Sequence, residues 1–365
     1  MKIAIIGTRG IPASYSGFET SVQETATRFV QKDIETIVYC RANHYKDKPD
    51  EFKGVKLIYL PSVKSKHLDT ITNTLITFFH LLFKKYDAVI VYGVGNALFI
   101  PFIRLSSKPV ISVVDGADWE RKKWGKFAKG FLKLSRYFAV HFSNYYVVDN
   151  ELLVEEYNKR FGKEPIYIPY GANMQFKNNV EILKKYEVEK NKYIIFVGRF
   201  VKEKGIDFLI ENYEKINTNI KLIIIGDNVI DQDYVVKLKN TQDKRIVFTG
   251  FVYGEEYETL LHNALFYVSC SFLEGTSPSL LSAMAINGFA LVSDLKENLE
   301  VLKGSCATFS VGDTIDFKEK VNYYLNNAKV IENERERKSD IVKNHYTWGK
   351  ITNQYIELFN RISKN

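Results

Sequence analysis

Residues 193–205 read Tyr193-Ile194-Ile195-Phe196-Val197-Gly198-Arg199-Phe200-Val201-Lys202-Glu203-Lys204-Gly205. Five continuous apolar residues stop at a glycine and give way to a basic turn. Continuous rather than alternating apolarity marks a strand covered on both faces, as in a parallel sheet. Open parallel sheets bind ligands beyond the carboxyl ends of their strands, which is where Arg199 and Lys204 fall. Arg199 offers a planar fork of donors and Lys204 a mobile point charge, a pair suited to a diphosphate. The competing reading is two solvated charges at the top of a sheet.

The same rhythm extends in both directions. Further strands are expected at Lys221–Ile225, Ile246–Phe248, Phe266–Ser269, Ala290–Ser293 and Ala307–Ser310, with helices between. Toward the N-terminus they are expected at Lys2–Ile6, Thr36–Cys40, Val55–Leu60, Ala88–Tyr92, Val110–Val114, Tyr145–Val148 and Ile166–Ile168. Helical patterns at Phe18–Gln31, Leu68–Lys85, Lys126–Phe142 and Glu151–Lys159 alternate with them, which is βαβ order. The rhythm breaks around Pro169–Asn179, and 365 residues exceed what one core serves. Two domains are therefore expected, 1–172 and 173–346. A helical tail, 347–365, carries Trp348, Ile351, Tyr355 and Leu358 as apolar positions; it can pack back on either domain, and the N-terminal one is the expectation.

Three more segments carry chemistry. Phe272-Leu273-Glu274-Gly275-Thr276-Ser277-Pro278-Ser279-Leu280-Leu281 follows a strand. Pro278 suits a first helical position, and a helix starting there aims free N–H groups at a phosphate. Glu274, just ahead, can accept hydrogen bonds from sugar hydroxyls; Ser277 as a helix cap is the plainer reading of this turn. Gly7-Thr8-Arg9-Gly10-Ile11-Pro12 and then Ser16-Gly17-Phe18-Glu19-Thr20 follow the first strand and open a helix. This is neither the dinucleotide fingerprint nor a Walker loop, and a tight turn without a ligand explains it equally well. Asp115-Gly116-Ala117-Asp118-Trp119-Glu120 to Trp124 sets carboxylates beside two Trp, a combination common in sugar sites.

Composition narrows the field. The net charge of +8 suits nucleic acid, an anionic membrane face or phosphorylated substrates, and no nucleic-acid motif is present. Cys40, Cys270 and Cys306 are scattered with no C-x-x-C pair, which fits a reduced compartment and supports neither disulfides nor zinc. Met1–Gly7 reads as a strand rather than a signal peptide, and the longest apolar stretch, Ile71–Phe83, is too short to span a bilayer. The expectation is a cytoplasmic chain, peripheral on the inner face of the cell membrane. Arg121, Lys122, Lys123, Lys126, Lys129, Lys133 and Arg136 interleave with Phe127, Phe131, Leu134, Tyr137 and Phe138, with no acid between. Such a helix docks on anionic lipid; alternatively its apolar face packs on the sheet and its lysines are solvated. Asp231-Gln232-Asp233 matches the metal-binding D-x-D pattern but is read as helix capping.

Together these segments resemble a retaining GT-B glycosyltransferase of glycosyltransferase family 4. The opening segment and Asp115–Trp124 resemble a bacterial subgroup that includes rhamnosyltransferases of capsular and cell-wall polysaccharide assembly. The resemblance implies an α/β fold of two Rossmann-like parallel-sheet domains facing a central cleft, the N-terminal one for the acceptor and the C-terminal one for the nucleotide sugar. It implies that Arg199 and Lys204 bind the donor diphosphate and that Glu274 contacts the donor sugar. Gly198, Gly275, Thr276, Ser277, Pro278 and Ser279 would line the donor, and Gly17 would let the first domain approach it. Asp115 becomes an acceptor-side candidate beside Arg9, Asp118, Trp119 and Glu120. One departure stands out. The family's E-x7-E pattern places a second Glu, a ribose contact, where this chain has Ser282. A deoxyribose donor such as dTDP-rhamnose tolerates that loss, so L-rhamnose transfer to a lipid-linked saccharide at an anionic membrane surface is expected, with no metal or cofactor and no nucleic acid. A UDP- or GDP-sugar donor, or a non-catalytic regulatory subunit with a degenerate donor site, are the alternatives.

Overall fold

The computed structural model describes residues 1–13, 17–63, 68–114, 125–228, 231–304 and 307–364. The chain divides into two compact units, Met1–Tyr170 with Trp348–Asn365, and Gly171–Thr347. Each is built on one sheet with helices on both sides of its strands in sequence, the Rossmann-like arrangement.

The first unit holds strands β1 (Lys2–Ile6), β2 (Glu35–Arg41), β3 (Glu51–Phe52), β4 (Val55–Leu60), β5 (Ala88–Tyr92), β6 (Val110–Val114), β7 (Tyr145–Val148) and β8 (Ile166–Tyr167), in the order β3-β4-β2-β1-β5-β6-β7-β8. Every pairing is parallel except β3 with β4. That short hairpin is absent from the sequence expectation, because two residues carry no periodicity. It turns on Lys53 and Gly54, both at positive φ, and Glu51 Oε1 accepts the Gly54 N–H at 3.1 Å. Helices α1 (Gly17–Val30), α2 (Leu68–Leu82), α3 (Ile100–Leu105), α4 (Lys126–Phe142) and α5 (Glu151–Phe161) connect the strands. The central strands are buried on both faces: all five residues of β5 and of β6 are buried.

The second unit holds β9 (Tyr193–Val197), β10 (Lys221–Ile225), β11 (Ile246–Gly250), β12 (Phe266–Ser269), β13 (Ala290–Ser293) and β14 (Thr308–Phe309), all parallel, in the order β11-β10-β9-β12-β13-β14. Its helices are α6 (Ile182–Lys185), α7 (Ile206–Tyr213), α8 (Gln232–Lys239), α9 (Gly254–Asn263), α10 (Pro278–Ile286), α11 (Lys296–Leu302), α12 (Thr314–Asn326) and α13 (Ala328–His345). A core of Ile194, Phe196, Leu222, Ile224, Phe266 and Val268 from the sheet meets Leu209, Tyr213 and Phe317 from the helices.

The chain then returns to the first unit as α14 (Trp348–Lys364). Ile351, Tyr355, Leu358 and Phe359 recur at helical spacing and are all buried. The Phe29 ring of α1 meets the rings of Tyr355 and Phe359 edge-on, at 6.2 and 5.1 Å. No helix among the described residues is long and apolar enough to cross a membrane.

Candidate active site

Strand order reverses beside β9 in the second unit. From β9 the chain proceeds outward through β10 and β11, then crosses back to β12 on the other side of β9. Connections leaving neighbouring strands in opposite directions open a crevice at their carboxyl ends. Residues 198–205 and 270–277 emerge there, after β9 and β12. The strand order therefore brings the Arg199–Lys204 turn and the Glu274–Ser277 turn to one end of the sheet.

Glycines let the two turns touch. Gly205 sits at φ +63°, and a Cβ there would lie 2.0 Å from the Cys270 carbonyl oxygen. The Phe272 N–H donates to the Glu203 carbonyl at 2.8 Å. Backbone thus meets backbone, and no L side chain fits at Gly205 without moving one loop. Gly198 donates its N–H to the Ile225 carbonyl at 3.0 Å, keeping the Arg199 turn aligned with β10.

Lys204 and Glu274 form an ion pair between Nζ and Oε1, with side chains only 18% and 7% exposed. Ser271 Oγ donates to the same carboxylate oxygen at 2.6 Å, and Ser269 Oγ lies 3.2 Å from Ser271 Oγ. The carboxylate is therefore fixed from two sides before any ligand arrives. Arg199 lies in the same turn, half-buried.

Just beyond, α10 begins. Ser277 is its cap, accepting the Leu280 N–H at 3.4 Å, and Pro278 occupies the first turn. Ser279 Oγ bridges Ser277 Oγ and Tyr267 OH, each at 3.1 Å. Burial pushes the Tyr267 phenol up, so it stays neutral. Thr276 and Ser277 are both buried, beside a helix end that favours anions. Ser282 lies one turn further along α10, half-buried, and hydrogen-bonds Tyr257 on α9. Burial, partly offset by that bond, raises the Tyr257 phenol to about 12. The sequence reading missed Tyr257: nothing in the spacing of α9 distinguishes it from a core tyrosine. Asp231, of the D-x-D segment, caps α8 by accepting the Tyr234 N–H at 3.2 Å.

The first unit has its own switch point, between β1 and β5. Gly7, at the end of β1, has φ +96°, and a Cβ there would lie 2.3 Å from the Tyr92 carbonyl oxygen. The Arg9 N–H donates to buried Glu19 of α1 at 3.2 Å, and the Arg9 carbonyl accepts the Arg41 N–H at 2.8 Å. Arg41 Nη1 donates to Asp69 Oδ2 at 2.7 Å, Ser62 Oγ to Asp69 Oδ1 at 2.5 Å, and His44 Nε2 lies 3.3 Å from Asp69. Burial alone would raise the Asp69 carboxyl; the Ser62 hydrogen bond and the Arg41 charge outweigh it and hold it below its ordinary value. Burial, with the Arg9 charge second, depresses His44. Arg41, His44 and Asp69 were not singled out from sequence, because Asp69 meets the Arg41–His44 stretch from a separate segment 25 residues beyond His44. Gly17 is the first residue of α1. Asp115, Asp118, Trp119 and Glu120 lie outside the described residues, as do Arg121, Lys122 and Lys123.

One expected member of the basic face is elsewhere. Arg136 points inward, 1% exposed, with Nη1 2.7 Å from Glu156 Oε1 and its guanidinium 5.5 Å from the Tyr157 ring centre. A carboxylate and an aromatic face hold this planar cation inside. It takes no part in a surface.

Residues 178–347 match the family described as glycosyl transferases group 1, and residues 1–173 match a domain of unknown function, DUF1972. A Staphylococcus aureus capsular polysaccharide biosynthesis glycosyltransferase, CapH, is 32% identical over 127 residues, 33% of this chain and 35% of that one. An N-acetylgalactosamine-N,N'-diacetylbacillosaminyl-diphospho-undecaprenol 4-alpha-N-acetylgalactosaminyltransferase of Campylobacter jejuni is 28% identical over 116 residues, 32% of this chain and 31% of that one. The chain thus spans about a third of the length of these curated relatives. In fold, Anabaena HepE, solved in complex with UDP and glucose, superposes with a TM-score of 0.81 at 14% identity, covering 99% of this chain and 100% of that one. The two parallel-sheet, Rossmann-like units are those of the GT-B fold.

Proposed function

We propose that this chain is a retaining glycosyltransferase that moves a hexose from a nucleotide diphosphate donor to a lipid-linked saccharide in cell-surface polysaccharide assembly. The observation that carries the reading is the meeting of the Arg199–Lys204 turn, the Glu274 carboxylate and the capped start of α10 at one switch point of the second unit. The match to glycosyl transferases group 1 covers this unit, and relatives named for capsule and diphospho-undecaprenol chemistry support the pathway class.

In the proposed reaction the bond between the sugar's anomeric carbon and the diphosphate oxygen breaks, and its electron pair leaves on the phosphate. Arg199, Lys204 and the N–H groups at the start of α10 stabilise that charge, so the step needs no metal ion. Glu274 orients Lys204 and accepts from sugar hydroxyls. An acceptor hydroxyl forms the new bond on the same face of the sugar, and its proton passes to the departing diphosphate. The first unit takes the acceptor, with Arg9 and the Asp115–Glu120 segment as candidates to hold it. Gly198, Gly275, Thr276, Ser277, Pro278 and Ser279 line the donor.

For the donor we propose dTDP-L-rhamnose. Ser282, engaged with Tyr257, puts no carboxylate where a ribose diol would need one, and a neutral hydroxyl grips a diol more weakly. HepE was solved with UDP, which keeps a UDP-sugar as the second reading. The discriminating experiment is release of nucleoside diphosphate from dTDP-rhamnose, UDP-glucose and GDP-mannose, with EDTA present, using a lipid-linked saccharide acceptor. Rhamnose transfer resistant to EDTA is expected. Faster turnover of the UDP or GDP donor would overturn the donor assignment, and no turnover of any donor would favour a non-catalytic subunit.

A further inference from the structure

The outward side of α4 carries exposed apolar side chains among its lysines. Its buried residues are Leu132, Ser135, Arg136, Ala139 and Val140, so a serine and an arginine face inward. At 3.6 residues per turn, Phe127, Leu134 and Tyr137 fall on the opposite side. They are 97%, 50% and 47% exposed. The alternative that the apolar face of this helix packs on the sheet is excluded for these three residues.

The neighbouring helices continue the pattern. On α2, Leu75, Phe79 and Leu82 form one exposed stripe, and Phe83 follows the helix at 85% exposure. On α3, Phe102 and Leu105 are exposed, Leu105 at 82%. The helices are neighbours in space: α2 touches α3, α3 touches α4, and the Phe78 ring lies 5.7 Å from Phe102. Scattered exposed apolar residues need no explanation, but such side chains on three adjoining helices of one unit do.

We propose that this α2–α3–α4 face is the surface by which the chain docks on an anionic lipid bilayer. Charge decides between occupants. Exposed Lys84, Lys85, Arg104, Lys126 and Lys133 belong to the same segments, and residues 88–114 and 125–148 contain no acid. A second copy pairing through the same face would set these cations against each other. Anionic headgroups would complement them while the aromatic side chains enter the interfacial region. The proposal places the face on the first unit, to which the proposed function assigns the acceptor; the face itself rests on geometry and charge.

The test is flotation of the full chain with phosphatidylcholine vesicles, with and without phosphatidylglycerol. Binding is expected only with the anionic lipid, and salt should weaken it. Phe127→Ser/Leu134→Ser and Phe83→Ser/Leu105→Ser should each lower partitioning about tenfold or more, and Lys126→Gln/Lys133→Gln should lower it and reduce its salt dependence. Melting temperatures of these exposed-site variants should match the parent, and nucleotide binding by the second unit, measured alongside, should be unchanged. Parent protein that does not float, or variants that float equally well, would overturn the proposal. So would a concentration-dependent dimer, seen by sedimentation, that the Phe127→Ser/Leu134→Ser variant dissolves.

Discussion

Lys204 and Glu274 neutralise each other in a largely buried contact, yet the proposed chemistry asks different things of them. Lys204→Met removes a cation that acts on the departing diphosphate, and should lower kcat about 10²–10³-fold. Glu274→Gln keeps the shape but frees Lys204 and weakens the sugar contact. Its loss should therefore appear in both kcat and KM, whereas a purely structural role would show as a lowered melting temperature instead. Gly205 tests the scaffold. Gly205→Ala must hold a non-glycine residue at φ +63° against the Cys270 carbonyl, and should cost about 1–3 kcal/mol or more in urea denaturation. His44 gives a pH signature. Its pKa is depressed below 6.5 in the folded chain, so the unfolded chain binds the proton more readily. Its contribution is intact above the unfolded value and is lost as pH falls through it. Denaturation midpoints of His44→Gln should therefore fall less steeply than the parent's as pH is lowered from about 7 to 5.

At the level of elements, α14 is the tie that fixes the first unit. Ile351, Tyr355, Leu358 and Phe359 are each 2% exposed or less, and burying such a side chain contributes about 1.5–3 kcal/mol. Ending the chain at Thr347 should leave the Phe29 face of α1 bare and unfold or aggregate the first unit, read by circular dichroism and light scattering. The strands were legible in the sequence because burial on both faces writes them as continuous apolar runs; Lys2–Ile6, Ala88–Tyr92 and Tyr193–Val197 have the expected ends. The β3 hairpin, the short α3 and the long polar α13 were not, since they are too brief or too charged to show a period. The two turns that meet beyond β9 and β12 were legible as glycine and charge at strand ends. The Arg41–His44–Asp69 cluster and Tyr257 were not, because pairing across separate segments leaves no local trace. Arg136 was misplaced for a related reason. A basic residue in a basic run reads as surface until a partner on the next helix, here Glu156, draws it inside.

For the whole molecule, the two units share one construction and differ in what they present. Each has a switch point where glycines bring strand-end turns together, at Gly7 in the first and at Gly198 and Gly205 in the second. The second presents a cationic turn, a fixed carboxylate and a helix start, the parts that the proposed donor binding uses. The first presents a paired cluster of Arg41, His44 and Asp69 and exposed apolar side chains on three helices whose segments also carry exposed lysines. The net charge of +8 is consistent with both an anionic donor and an anionic surface. In the proposed reading the second unit binds a nucleotide diphosphate through Arg199 and Lys204 without a metal. Its most direct test is the thermal shift of the full chain with dTDP, UDP, GDP and ADP, with and without EDTA, for the parent and for Arg199→Ala and Lys204→Ala. A ligand that binds only the folded state raises its stability with concentration. The expected shift is largest for dTDP, unchanged by EDTA and lost in both variants. A shift abolished by EDTA, one that survives in both variants, or none with any nucleotide would contradict it.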